Sequence, residues 1–161
     1  MAAEYRYMNF LLGYKEHAEE EDACTEEEVG EIEEKLGIKF PRSYREVYLI
    51  LGDWWGFNFI DDNSYQFPQF EEMRAGAENI IARNKTDFVL DKNMFVFGCF
   101  LDNAIVYFFK LDEGDDPPVY WYQGGVKDYE LLANSFSSFV EAQAWYKGYL
   151  LIKKDKESGR M

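Results

Sequence analysis

His17 is the single histidine of the chain, flanked by Glu16, Glu19 and Glu20. A nucleophile–base–acid triad and most zinc sites need imidazole, so one histidine at an acidic, exposed helix end leaves little from which to build either. Cys24 and Cys99 are the only cysteines. Neither has a second cysteine at metal-ligand spacing, and neither has a neighbour that would activate a thiolate. Cys99, inside an apolar stretch, reads as core filler. Carboxylates are the third option. Asp61–Asp62–Asn63 and Asp112–Glu113–Gly114–Asp115–Asp116 are rich in oxygen ligands. Both lack the alternating ligands, central glycine and terminal glutamate of a helix–loop–helix calcium site, and turn chemistry accounts for their composition. Gly124–Gly125 and Gly52…Gly56 form no phosphate-cradling loop. The residues therefore predict no metal, no cofactor and no catalytic group.

The elements that would position these residues can be read from periodicity. Residues 4–16 suggest a short helix with Tyr7, Phe10, Leu11 and Tyr14 on one face. An acidic run, Glu19–Glu20–Glu21–Asp22, then connects to a second helix. Thr25 and Glu28 fit a capping box there, Val29, Ile32 and Leu36 follow at helical spacing, and Gly37 ends it. A third helix starts near Pro41, with Tyr44, Val47, Tyr48 and Leu51 as its apolar face and Gly52 as its stop. Two short strands are expected around Asp61–Asp62–Asn63. Pro68 opens a further helix, whose inner face is Phe70, Met73, Ala77, Ile80 and Ile81. Residues 94–101 and 104–111 read as a hairpin about Asp102–Asn103, and 118–123 as the next strand. A last helix begins at Asn134 or Ser135 and turns Phe136, Phe139 and Val140 inward.

Helices first, then a meander, then a closing helix predict an α+β domain with a mainly antiparallel sheet. We expect residues 1–24 to form an N-terminal helix and acidic connector, 25–152 the domain, and 153–161 a frayed tail. The sheet has one unusual property. Ile105, Tyr107, Phe109 and Leu111 alternate with Val106 and Phe108, and Val119 and Trp121 with Tyr120 and Tyr122, so both faces are apolar or aromatic. Either a second layer covers the second face, or that face binds a partner.

The chain has 161 residues and 47% hydrophobic content, enough for one domain with a real core, and 19% of its residues are aromatic. Its net charge is −14, and residues 1–36 alone carry 12 acids against 3 bases. Such a field repels nucleic acid and anionic lipid and speeds encounter with basic partners. No secretory leader and no apolar run near the roughly 18 residues of a membrane span are visible, so the cytoplasm is the expected location.

The run TEEEVGEIEEKLGIKFPRSYREVYLILGDWWG resembles the opening signature of the SUKH superfamily, which includes the Smi/Knr cell-wall regulators. Glu33, Leu36, Gly37, Pro41, Tyr44 and Gly52 occupy its acidic-helix, apolar-Pro, Tyr-helix and glycine positions. FVFGCFLDNAIVYFFKL is similar to the family's central hairpin, PPVYWYQ to its next strand and NSFSSFVE to its closing helix. Gly52–Asp53–Trp54–Trp55–Gly56 departs from the family's common Asn–Gly. The resemblance implies a non-catalytic α+β domain. Many bacterial relatives resemble immunity proteins that neutralise toxins, often nucleases, and eukaryotic ones resemble regulatory scaffolds.

From these strands of reasoning the expected function is protein binding, with a basic toxin domain as partner and occlusion of its functional surface as the mechanism. Trp54, Trp55, Trp121 and Tyr122 are the candidate anchors, because buried aromatics dominate interface energies. Asp61, Asp62, Asp112, Glu113, Asp115 and Asp116 are the candidate acidic contacts, giving steering and register. The alternatives are a regulatory adaptor, which would hold a signalling protein, and a small-molecule domain, which would show converging polar groups in a pocket.

Overall fold

A computed structural model describes residues 5–15, 23–52, 70–100 and 104–143. Four helices are α1 (Leu11–Lys15), α2 (Glu26–Leu36), α3 (Arg42–Leu51) and α4 (Phe70–Arg83). A fifth, α5, starts at 136 and runs through 143. Between α4 and α5 lies a four-stranded sheet of β1 (Met94–Phe100), β2 (Ile105–Lys110), β3 (Val119–Gln123) and β4 (Glu130–Ala133). Its order is β1-β2-β3-β4, every pairing is antiparallel, and the fold is α+β.

Local chemistry explains the helix ends. Thr25 and Glu28 form the predicted reciprocal cap: the Thr25 amide donates to Glu28 Oε2 at 3.0 Å, and the Glu28 amide to Thr25 Oγ1 at 3.1 Å. Gly37 closes α2 at φ 70°, a left-handed conformation that costs glycine nothing. Ser135 caps α5 by accepting from the Ser138 amide at 3.1 Å. The predicted inner face of α4 is buried at all five positions, and so is that of α3. At the N-terminus the helix starts later than expected, at Leu11 rather than near residue 4. The Tyr7 and Met8 amides donate to Glu46 Oε1 of α3 at 2.8 and 3.1 Å, which fixes residues 7 and 8 ahead of α1 rather than within it. Met8 and Leu11 are then fully buried against the rest of the core.

Both sheet faces are covered at β1 and β2. On one face Tyr44 of α3 is the hub: its ring lies 4.9–5.4 Å from those of Phe40, Phe95, Phe109 and Phe136, and its hydroxyl is 2.9 Å from that of Tyr48. Phe136 and Phe139 of α5 pack there too, against Phe97. On the other face Val106 and Phe108 are fully buried, and α4 contacts β1 and β2. Phe88, just beyond α4, stacks on Phe108 at 5.8 Å and leans on Tyr122 at 5.4 Å. Phe88 thus supplies cover on the second face, a contact periodicity alone did not identify. β4 was missed altogether. It is a four-residue outer strand with exposed leucines at 131 and 132, so no alternation marks it. The Asp102–Asn103 turn and the segment around Asp61–Asn63 lie outside the described residues.

Two buried carboxylates hold the helices. Glu33 is 2% exposed; its Oε2 accepts from the Phe40 amide at 2.6 Å, and its Oε1 pairs with Arg45, which also pairs with Glu26. Glu46, 3% exposed, takes the two N-terminal amides on one oxygen and Arg42 Nε at 3.0 Å on the other. Removing a buried carboxylate strands its donors. Arg45 is 22% exposed and keeps Glu26, so the penalty should fall below that of a fully buried pair. Glu33→Ala is expected to cost about 2–3 kcal/mol, read as a lower urea midpoint at unchanged slope; a wild-type midpoint would refute the latch.

Alkaline pH gives a second prediction. Burial pushes the Cys99 thiol up to about 11 from 9.0. Burial, then Tyr48, holds the Tyr44 phenol well above 10.0. The unfolded chain therefore releases these protons at lower pH than the folded one. Their contribution to stability is complete below the unfolded thiol value and is lost as pH rises from about 9 toward 11. Urea titrations across that window should show falling stability, with a shallower fall in Cys99→Ala than in the wild type. Parallel profiles for the two would exclude the Cys99 linkage.

Candidate functional site

The acidic loop between β2 and β3 is fastened to the domain at four points. Asp112 exchanges two hydrogen bonds with Asn93: its carboxylate accepts at 2.6 Å and its amide donates at 3.1 Å. Glu113 accepts from the Tyr120 hydroxyl at 2.9 and 3.0 Å and lies 3.7 Å from Lys110 Nζ. The Asp115 carbonyl accepts from the Ser43 amide at 2.9 Å, which joins the loop to the first turn of α3. Asp116 accepts from the Ser137 amide at 2.8 Å and from the Ser137 hydroxyl, serving a free donor in the first turn of α5. Gly114, at φ 93°, supplies the left-handed bend between these anchors.

Behind Glu113 sits a cation–aromatic knot. Lys110 Nζ lies 4.9 Å from the Tyr120 ring centre and 5.3 Å from that of Tyr129, and it donates to the Tyr129 hydroxyl at 3.1 Å. That hydrogen bond raises the ammonium pKa, opposed by partial burial. Burial and the Glu113 carboxylate raise that of Tyr120.

Three of the four acids in this loop are thus spent on internal contacts. Asp115 differs. Its side chain is exposed and has no hydrogen-bond partner among the described residues, and the residue lines a cleft of about 460 Å³. Arg42, Arg45 and Glu46 of α3 form one wall of the cleft and Glu26 of α2 another, while Tyr5, Phe40 and Leu49 give it apolar surface. Four segments distant in sequence meet there. Sequence reasoning passed over Glu46, Arg42 and Arg45, and met Glu33 only as a position of the family signature. The available signals were a glutamate four residues after Val29 on the apolar face of α2, and an Arg42/Glu46 pair at i, i+4.

The aromatic candidates divide. Tyr122 is 0% exposed among Phe88 and its neighbours, so its ring packs the core and a partner cannot reach it; as a surface anchor it is withdrawn. Trp121 is half-buried and stacks on Tyr107 of β2 across the strand pair, ring centres 6.4 Å apart. Trp54, Trp55, Asp61 and Asp62 lie outside the described residues. Among those described, no group of three or more His, Cys, Asp or Glu side chains is placed to hold a metal ion, and no helix is long and apolar enough to cross a membrane.

A comparison with individual curated proteins returns no match. The sequence profile of the SMI1 / KNR4 family (SUKH-1) matches residues 23–142, from just before the Thr25 cap into α5. That span contains the Glu33 latch, the Tyr44 hub, the whole sheet and the anchored acidic loop. The chain belongs to the SMI1 / KNR4 family (SUKH-1), within the SUKH superfamily.

Proposed function

We propose that this protein is a non-catalytic binding domain of the immunity type, which neutralises a basic protein toxin by covering its functional surface. Family membership across residues 23–142 carries the reading. Two physical features support it. A net charge of −14 favours rapid encounter with a cationic protein. The loop at residues 112–116 is held by the domain before any partner arrives, so little conformational entropy remains to be lost there on binding. Trp121 with Tyr107 offers a half-buried aromatic pair, and Trp54 and Trp55 add indole side chains suited to anchoring.

Co-expression with the product of the adjacent gene is the direct test. Rescue of growth from a toxic product, with formation of a complex, is the expected result. If that product is harmless and only a signalling protein co-purifies, a regulatory adaptor replaces the immunity reading. In surface plasmon resonance, association should slow as salt rises while dissociation stays nearly constant. Trp121→Ala, with its fold verified by circular dichroism, should speed dissociation about 30-fold, the equivalent of about 2 kcal/mol. An unchanged dissociation rate would remove Trp121 from the interface.

A further inference from the structure

We infer that the cleft under Asp115 is a socket for one basic side chain, an arginine or lysine, of the protein partner. The inference rests on the protein-binding reading above and adds the chemistry of one contact to it. Its first support is the charge balance. The residues lining the cleft include the acidic Glu26, Glu46 and Asp115 and the basic Arg42 and Arg45, and Glu33 pairs with Arg45. Both guanidinium groups are committed: Arg45 to Glu33 and Glu26, Arg42 to Glu46. Carboxylates outnumber guanidinium groups, so an incoming anion would meet uncompensated negative charge and an incoming cation would relieve it.

The second support is the position of the surplus. Asp115 has an exposed carboxylate without a partner among the described residues, and Glu26 across the cleft is 72% exposed. The exposed carboxylates are therefore those of Asp115 and Glu26, while Glu46 is buried. Apolar surface from Tyr5, Phe40 and Leu49 suits the methylene stem of a long basic side chain, which packs its carbons while its charged head reaches carboxylates. The third support is rigidity. Asp115 is flanked by anchored residues on both sides and bonded to α3 through its own carbonyl, so the backbone that carries its carboxylate is already fixed. The other three carboxylates of the loop have internal partners; among the described residues that of Asp115 has none.

The test uses the full chain, isotope-labelled for amide NMR, and N-acetyl-arginine amide as the probe, at about 0.15 M ionic strength to screen the general field. Saturable shifts are expected, clustered at Tyr5, Glu26, Leu49 and Asp115. Asp115→Asn should weaken binding about fivefold, the effect of an exposed charge pair. Its carbonyl bond to Ser43 survives the substitution, so the spectrum should otherwise match the wild type. Glu27→Gln removes one charge from an exposed position that does not line the cleft, and should leave binding unchanged. N-acetyl-glutamate amide should produce no shifts. Scattered shifts, equal effects of the two variants, or the same response to the acidic probe would overturn the socket. No macromolecular partner enters this titration. Its failure would therefore leave the co-expression result standing, and a failed co-expression would leave the socket standing.

Discussion

Glu33 occupies a position that an apolar side chain would ordinarily fill, and the arrangement of the helices depends on its carboxylate. Taking that charge out of water is costly unless its lone pairs are satisfied, and here they are, by the Phe40 amide and by Arg45. Each partner fixes something different. The Phe40 bond closes the α2–α3 connection just past the left-handed Gly37 and directs the Phe40 ring into the core beside Tyr44. Arg45 ties α2 to α3 along their length and reaches Glu26 in the first turn of α2. With α3 so held, Tyr44 meets Phe95, Phe109 and Phe136 together, joining two strands and the closing helix at one ring.

Glu46, the residue after Arg45 on α3, applies the same physics. Its two oxygens join the N-terminal segment to Arg42, and Met8 and Leu11 are buried as a result. The profile match begins at residue 23, so this segment lies outside the matched family region while its apolar side chains belong to the same core. It also supplies Tyr5 to the cleft wall. One buried carboxylate thus both attaches the segment and shapes the surface beside Asp115.

Legibility in the sequence followed the kind of force involved. Helices α2, α3 and α4 could be read because their order comes from caps and apolar spacing, which are local. Strands β1, β2 and β3 could be read because long apolar runs admit few other fates. β4 could not, because an outer strand of four residues is held by pairing with β3 while its leucines stay exposed. Tyr122 was offered as an anchor because an aromatic strand looks alike from either face; only Phe88, contributed from more than thirty positions earlier in the chain, decides that its side is covered. The acidic loop was legible as a candidate, but its internal division of labour was not. Asn93, Tyr120, Ser43 and Ser137 are tertiary partners, and no spacing rule connects them to Asp112, Glu113, Asp115 and Asp116.

That division also changes what the negative charge of the chain can be taken to mean. A net charge of −14 acts at long range whatever the carboxylates touch, so it bears on encounter rate and on the sign of the partner. Register needs carboxylates that are both fixed and uncommitted, and internal hydrogen bonding tends to exclude the second property as it supplies the first. Asp116 illustrates the conflict: it is well fixed because it serves the first turn of α5, and it therefore has less to offer a partner. The backbone of Asp115 escapes the conflict, since the carbonyl is bonded to α3 while the side chain is left to solvent. An acidic surface can attract many cationic proteins, whereas one placed carboxylate over a cleft can distinguish among them.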